Sequence, residues 1–326
     1  MTFTRRDFLA AALAAAAYDV AAQSAWPTAK PIRIVVPFAA GGASDVAARV
    51  LAQHVGDALK TPVVVENKPG AHGTVGIGEV MRAPADGYTL LMGSTGTMAV
   101  NPRLHEKLPY DANKDFAPVS LVTISPNVVV VNPTVLPVKD MQALVEYLRA
   151  NPGKVSYGTA GAGNSGHITT EYFKARTKTS MLHVPYKGDA AAMNDLIAGH
   201  VQIMFTTVLA AMPQVKSGRV RMLATAGRER LADFPDVPTV EEALKLKDFE
   251  AVSWQAVYVR AGTPSDIVNR LSAEFDAALR NPSVVRRLAE LGALPGGGPP
   301  SRLEQFQRRE QEKWGAVIRD ANIKPE

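Results

Sequence analysis

Residues 31–45 read PIRIVVPFAAGGASD, and this stretch decides the fold class. Its apolar part, Ile32 to Phe38, is short and rich in β-branched residues, which predicts a strand. Two glycines follow, and apolar residues then recur at helical spacing between Val46 and Leu59. The next strand is predicted from Pro62 to Val65. A strand, a Gly-rich loop, a helix and a strand in this order form a βαβ unit, whose strands pair in parallel.

The same arrangement returns further along the chain. A strand predicted from Val155 to Tyr157 leads into a second Gly-rich loop, residues 158–166 (GTAGAGNSG), and a helix that begins near His167. We therefore predict two α/β lobes that face each other. The other predicted strands are Tyr88–Met92, Val119–Thr123, Asn127–Val131, Met181–Val184, Val201–Phe205, Arg221–Thr225 and Val252–Val259, and the other predicted helices are Val138–Arg149, Pro264–Leu279, Pro282–Leu291 and Pro300–Ile318.

Length and composition narrow the class of protein. The 326 residues are more than one hydrophobic core usually serves, which also favours two lobes. The sequence contains no cysteine, which excludes disulfides and thiolate metal sites. The net charge of +5 suits a small anionic ligand. The basic residues form no dense cluster interleaved with aromatic residues, so nucleic acid is not an expected partner.

The N-terminus has the layout of a secretory signal. The sequence TRRDFL at 4–9 carries an arginine pair, and an apolar run from Leu9 to Ala17 follows it. This pattern is typical of a twin-arginine signal, and the apolar run is too short to cross a bilayer. We predict that residues 1–22 form a signal peptide, cleaved after Ala22, and that the mature protein is periplasmic. The alternative is an N-terminal helix that is never removed.

Glycine and hydroxyl residues cluster where the predicted strands end. In open α/β sheets ligands bind beyond the carboxyl ends of the strands, where helix N-termini offer free N–H groups to an anion. Glycine lets a carboxylate approach the backbone closely. Four such loops, drawn from both lobes, could surround one carboxylate ligand; the alternative is that they only connect elements. They are residues 41–45, 70–74, 94–97 and 161–165.

Motifs for catalysis are weak in this sequence. Gly161, Gly163 and Gly166 have the spacing of a dinucleotide fingerprint, but such matches are common by chance. The sequence contains neither a P-loop nor a Gly-x-Ser-x-Gly nucleophile motif. The six histidines lack metal-ligand spacing, although His72 and His167 lie in Gly-rich loops. We therefore expect no enzymatic activity, no metal and no cofactor.

Ordered blocks along the chain carry a family resemblance. They are PIRIVVPF at 31–38 followed by Gly41, Gly42 and Asp45, VVVENKPG at 63–70, DGYTLL at 86–91, LPYD at 108–111, HVPYKG at 183–188, DVPT at 236–239, SW at 253–254 and AGTP at 261–264. Together they resemble the Bug family, the TctC-like substrate-binding proteins of tripartite tricarboxylate transporters. The resemblance runs from about Trp26 to the C-terminus.

The resemblance implies an α/β, two-lobe periplasmic binding protein fold of type 2. Its sheets would be mixed but mostly parallel, with a ligand cleft between the lobes. Lobe one would comprise residues 26–125 and 248–326, and lobe two residues 126–247. The implied protein is a monomer that captures a small di- or tricarboxylate or an aromatic carboxylate and delivers it to membrane permease subunits.

Site residues are carried over by position from the resemblance. Phe38 would form an apolar wall, and Ser94, Thr95 and Thr97 would supply hydroxyls. The main-chain donors from lobe one would be Gly41, Gly42 and Thr74. Lobe two would close with Asn164, Ser165 and His167, and Tyr186 and Lys187 would lie near the side where the lobes join. The remaining predicted ligand-binding residues are Asp45, His72, Gly73, Gly163 and Thr206.

Two departures from the family pattern bear on the ligand. Thr206 and Thr207 stand where many relatives have Asp, which argues against an amino-acid ligand and for a plain carboxylate. His72 stands where relatives commonly have Gly, and it would either narrow the pocket or point outward. Two other functions stay open at this point: a sensor component that presents its ligand to a signalling receptor, and an α/β enzyme that acts on a carboxylate.

Overall fold

A computed structural model describes residues 26–290 and 292–324; the predicted signal peptide, residues 1–22, lies outside them. The strands are β1 (Ile32–Val36), β2 (Val63–Asn67), β3 (Thr89–Ser94), β4 (Phe116–Val131), β5 (Ser156–Thr159), β6 (Leu182–Pro185), β7 (Ile203–Thr207), β8 (Arg221–Thr225), β9 (Val252–Arg260) and β10 (Leu294–Pro295). The helices are α1 (Ala43–Leu59), α2 (Thr74–Arg82), α3 (Asn101–Leu104), α4 (Met141–Ala150), α5 (Ser165–Thr177), α6 (Asp189–Ala198), α7 (Val208–Lys216), α8 (Val240–Leu244), α9 (Ser265–Arg280), α10 (Pro282–Glu290) and α11 (Pro300–Asp320). Within the described ranges, none of these helices is both long enough and apolar enough to cross a membrane.

The strands follow one another in the order β2-β1-β3-β9-β4-β7-β5-β6, and β8 and β10 pair with β4. β1 pairs in parallel with β2 and β3, and β5 pairs in parallel with β6 and β7. Both predicted βαβ units are therefore confirmed. The strands that connect these two units are antiparallel, because β4 pairs antiparallel with β9, β7 and β8. The sheet is thus mixed, but less parallel than the sequence predicts.

The long strand β4 joins the two halves of the molecule. The sequence predicts two strands here, separated at Ser125 and Pro126; the structure has a single strand of 16 residues. Pro126 is the last β4 residue to pair with β9, and Asn127 is the first to pair with β7. A proline is tolerated at this point because the strand changes partners there and needs no donor from residue 126.

The C-terminal helix α11 is fixed to lobe one by buried polar contacts. The Glu310 carboxylate accepts hydrogen bonds from the indole N–H groups of Trp254 (3.1 Å) and Trp314 (3.0 Å), and it forms an ion pair with Lys313. Gln311 donates to the carbonyl of Met98 at 2.7 Å. Since Met98 lies just after β3, α11 supports the segment that follows that strand.

Replacing Glu310 with Ala should lower the free energy of unfolding by about 2–4 kcal/mol, because two buried indole N–H groups would lose their acceptor. Urea unfolding of the purified protein measures this loss. Glu304→Ala is the matched control on the same helix, because Glu304 is exposed and forms only a surface pair with Arg308; its cost should stay below about 0.5 kcal/mol. Equal losses for both variants would contradict the anchoring role of Glu310.

Candidate functional site

Three loops of lobe one meet at one edge of the sheet. They follow β1, β2 and β3, and the first two lead directly into α1 and α2. Because β1 pairs in parallel with both neighbours, the carboxyl ends of all three strands lie at the same edge. Lobe two repeats this arrangement, with α5, α6 and α7 beginning after β5, β6 and β7.

The carboxylate of Asp45 fixes the conformation of the loop after β1. This carboxylate accepts hydrogen bonds from the Gly41 N–H (2.9 Å) and from Nε of Arg49 (3.0 Å). Arg49 also donates to Asn67, which in turn donates to the carbonyl of Phe38 at 3.1 Å. Burial opposes ionisation of Asp45, but the hydrogen bonds from Arg49, Gly41 and Asn67 together hold its pKa below the ordinary value. Asp45 is only 3% exposed, so it positions the loop from within.

Helices α1 and α2 begin without a side-chain cap. Gly42 and Gly73 occupy their N-cap positions, and no described side chain accepts a capping hydrogen bond from the first turn of either helix. A Cβ atom added at Gly41 would meet nothing within 4 Å, so this loop borders open space. The first-turn N–H groups and the positive dipole end of α1 are therefore presented to that space, whereas Gly73 at the start of α2 is buried.

The loop after β2 packs against the first loop. A Cβ atom added at Gly73 would lie 2.8 Å from Cγ2 of Thr97 and 3.8 Å from Cζ of Phe38, so these three predicted residues meet. Gly73 has φ +92°, which favours glycine. Thr74 begins α2, and its hydroxyl donates to the carbonyl of Ala71 at 2.9 Å.

His72 lies on the outside of this loop. It is exposed and has a left-handed backbone conformation with φ +54°. Its carbonyl accepts a hydrogen bond from the Asn101 side chain at 3.1 Å, and its ring lies 5.7 Å from that of His105. Burial, and then the neighbouring His72, lower the pKa of His105.

Ser94, Thr95 and Thr97 form a tight helical turn, whereas the sequence predicts a loop. The Thr97 hydroxyl accepts from the Ser94 N–H at 2.9 Å, and the Thr95 hydroxyl accepts from the Trp254 N–H at 2.8 Å. Tyr110 donates to the Thr97 carbonyl at 2.5 Å. All three hydroxyl residues are buried. The hydroxyls predicted to face a ligand thus already hold the turn together, because a strand that ends inside the protein must satisfy its own polar groups.

The loop after β5 is ordered by its own polar side chains. Asn164 caps α5 by accepting from the His167 N–H at 2.8 Å, and His167 accepts from the Gly163 N–H at 3.1 Å. Ser165 lies within 3.5 Å of the Asn127 side chain on β4. His167 is buried and its ring stacks on that of His183 at 4.2 Å. Asn164 and His167 therefore set the shape of this loop.

Loops of the two lobes come into contact. A Cβ atom added at Gly96 would lie 3.5 Å from the carbonyl oxygen of Gly163, and one added at Gly163 would lie 3.6 Å from Asn101. The structure therefore brings together the loops after β2, β3 and β5. Of two further predicted residues, Lys187 is exposed, and the Tyr186 hydroxyl donates to Asp195 at 2.7 Å. Burial and this acceptor raise the pKa of Tyr186 to about 12.

Asp189 is a polar residue at the same edge that the sequence analysis missed. It begins α6, and its carboxylate accepts from the Thr206 hydroxyl at 2.8 Å. Thr206 is 2% exposed, near the end of β7. Asp189 as a residue is partly exposed, whereas its carboxyl lies inward beside Thr206; burial raises the pKa of this carboxyl, against the effect of the Thr206 hydrogen bond. The only signal in the sequence was an acidic residue after Gly188 at a helix start.

Comparison with known proteins settles the family. Residues 47–323 match the family model described as the tripartite tricarboxylate transporter family receptor, TctC. The chain belongs to this family. The resemblance inferred from the sequence blocks is therefore confirmed, and with it the function class, because TctC proteins are solute-binding receptors.

Solved structures similar to this TctC protein share its fold. R. palustris Rpa4515 with adipate has a TM-score of 0.86 at 34% identity, covering 92% of this chain and 100% of that chain. MatC from Rhodopseudomonas palustris with bound malate has a TM-score of 0.82 at 32% identity, covering 89% and 99%. The periplasmic binding protein BugD has a TM-score of 0.82 at 32% identity, covering 91% and 99%. The predicted periplasmic binding protein fold is confirmed.

Asp45→Asn should lower the free energy of unfolding at pH 7 by about 1–2 kcal/mol, because the charged partner of Arg49 is lost. A carboxyl whose folded-state pKa is depressed stabilises the fold above its unfolded pKa of about 3.9, and this contribution is lost as the pH falls through the folded pKa. The difference from wild type should therefore be full at pH 7 and should shrink below about pH 4.

Urea unfolding at pH 7 and pH 3 measures both values. Asp57→Asn is the control on the same helix, because Asp57 lies on the exposed face of α1. Its effect should stay below about 0.5 kcal/mol at either pH. A pH-independent loss in Asp45→Asn would contradict the assigned role of the carboxylate.

Proposed function

We propose that the protein captures a small dicarboxylate between its two lobes, without chemically changing it, and delivers it to the membrane permease of a tripartite transporter. One observation carries the proposal: two helices of lobe one begin at glycines without a side-chain cap, the loop before α1 borders open space at Gly41, and the Gly163 loop of lobe two makes contact nearby. Main-chain N–H groups at such helix starts bind carboxylates without an arginine.

The ligand class follows from the chemistry of this edge and from the relatives. Donors from α1 and α2 would hold one carboxylate, and the half-buried ring of Phe38 would contact an apolar carbon chain. Two similar solved structures contain dicarboxylates, adipate and malate. We therefore favour a dicarboxylate of four to six carbons over a tricarboxylate or an aromatic acid.

We also propose that the protein reaches the periplasm by cleavage of residues 1–22. The arginine pair and apolar run at the N-terminus support this, as does the periplasmic protein BugD among the similar structures. Mass spectrometry of protein recovered from the periplasmic fraction tests it directly: a mature chain that begins at Gln23 is expected, and a chain that retains Met1 would contradict it.

Ligand binding should raise the melting temperature, because a ligand that binds only the folded state stabilises it by mass action. The protein is first unfolded, dialysed and refolded to remove any bound molecule. It is then screened against succinate, malate, glutarate, adipate, citrate and benzoate, and hits are measured by titration calorimetry. At least one C4–C6 dicarboxylate is expected to bind. No shift with any of the acids would refute the carboxylate assignment.

Gly42→Asp should separate binding from folding. An aspartate at the N-cap of α1 would accept from its first-turn N–H groups, which stabilises the helix by about a few tenths of a kcal/mol relative to glycine. The same carboxylate would compete with and repel an anionic ligand. We expect the ligand-free melting temperature to hold or rise while affinity for the best dicarboxylate falls at least tenfold.

Ser265→Asp is the control for added charge. Ser265 is exposed and begins α9, so this variant places the same charge at a helix start outside the candidate site. Its affinity should stay within about twofold of wild type. If Gly42→Asp binds as tightly as Ser265→Asp, the ligand does not occupy the start of α1.

A further inference from the structure

Asp189 and Thr206 place a carboxylate at the strand-end edge of lobe two. Asp189 follows β6 and Thr206 lies on β7, and these strands are separated only by β5. All three run parallel, so their carboxyl ends share an edge. The loop after β5 lies at this edge too, because the main-chain N–H of Tyr186 donates to the Thr159 carbonyl at 2.9 Å. The Asp189 carboxyl is thus in the half of the edge that would close over a ligand.

The polar partners of Asp189 are incomplete. Thr206 donates one hydrogen bond to one carboxylate oxygen. Across the described residues, no Lys, Arg or His forms an ion pair with Asp189, although seventeen other such pairs are present, including Asp45 with Arg49. A carboxyl withdrawn from water without a cation is unfavourable unless another donor compensates it. Burial accordingly raises the pKa of this group.

We infer that Asp189, oriented by Thr206, accepts a hydrogen bond from the ligand and selects a dicarboxylate that carries a hydroxyl or ammonium group beside one carboxylate. The inference rests on the proposed function, because it assigns a specificity residue within that site. It also revises the interpretation of Thr206, whose hydroxyl holds a carboxylate from α6.

In this inference Asp189 selects among diacids, whereas other groups hold the carboxylates of the ligand. The uncapped starts of α1 and α2 attract carboxylates and are shared by any diacid. An acceptor facing the ligand's second carbon distinguishes diacids that differ only there. A site built to pair a donor rejects the analogue that lacks it, because the acceptor is then left unpaired.

Matched sets of diacids test this inference by titration calorimetry. Each set holds the chain length constant and changes only the substituent. The four-carbon set is succinate, malate and aspartate, and the five- and six-carbon sets are glutarate and adipate, each with its 2-hydroxy and 2-amino derivatives. Wild type should bind the hydroxy-substituted or the amino-substituted diacid of one set at least tenfold more tightly than the plain diacid of that set. In Asp189→Ala that preference should fall to within about twofold, while affinity for the plain diacid is unchanged or higher.

Two further variants sharpen the result. Asp189→Asn retains an acceptor for Thr206 but loses the charge, so it should remove a preference for ammonium and preserve one for hydroxyl. Thr206→Val should weaken either preference by releasing the carboxyl from its position. Asp266→Ala is the matched control, because Asp266 is also an acidic residue in a first helical turn but is exposed on α9; it should leave every affinity unchanged.

The outcomes separate the two proposals. Equal binding of plain and substituted diacids by wild type, or an unchanged preference in both Asp189→Ala and Asp189→Asn, would overturn the inference and leave the proposed function standing. Binding of none of the nine acids by wild type would overturn the proposed function and the inference together. Melting curves of the ligand-free variants establish that each is folded. If Asp189→Ala is not, Asp189→Asn supplies the answer for an ammonium preference and Thr206→Val supplies it for a hydroxyl preference.

Discussion

The parallel pairing of β1 with β2 and β3 is the constraint on which the candidate site depends. Parallel neighbours end at the same edge, so three consecutive loops are forced together there whatever their sequences. The sequence then determines what that edge presents. Glycine at the starts of α1 and α2 leaves helix donors open, and Asp45 holds the first loop from beneath. The topology thus brings the loops of the candidate site together, and the proposed affinity for anions depends on a few small residues.

At this edge, some residues hold the loops rigid, and different residues leave main-chain N–H donors without a side-chain partner. Ser94, Thr95 and Thr97 are engaged in a buried turn, and α11 braces that turn through Gln311 and the Met98 carbonyl. The helix starts at Gly42 and Gly73 have no side-chain cap among the described residues. A binding site needs both properties, because a donor is selective only if its direction is fixed. The polar residues of the candidate site are therefore partly structural.

Most of the fold was predictable from the sequence because its signals are local. Strand β8 agrees to the residue, and α9 agrees within one residue at each end, since apolar periodicity and a leading proline define it. The continuity of β4 was not predictable: Ser125 and Pro126 have the appearance of a break, and only the partner strands show that pairing passes through them. The same limit applies to Asp189, whose contact with Thr206 spans 17 positions of sequence and depends on how β6 and β7 are placed.

Pro126 has a mechanical consequence for the molecule. It lies where β4 exchanges β9 for β7, so one residue without an N–H group separates two ladders of hydrogen bonds. Bending the strand there would break no hydrogen bond donated by residue 126, but it would act directly on the bond from the Asn127 N–H to the Ala251 carbonyl at 3.1 Å. The two halves of the chain are in this way joined by a continuous strand that is braced beside Pro126 by the segment that leads into β9.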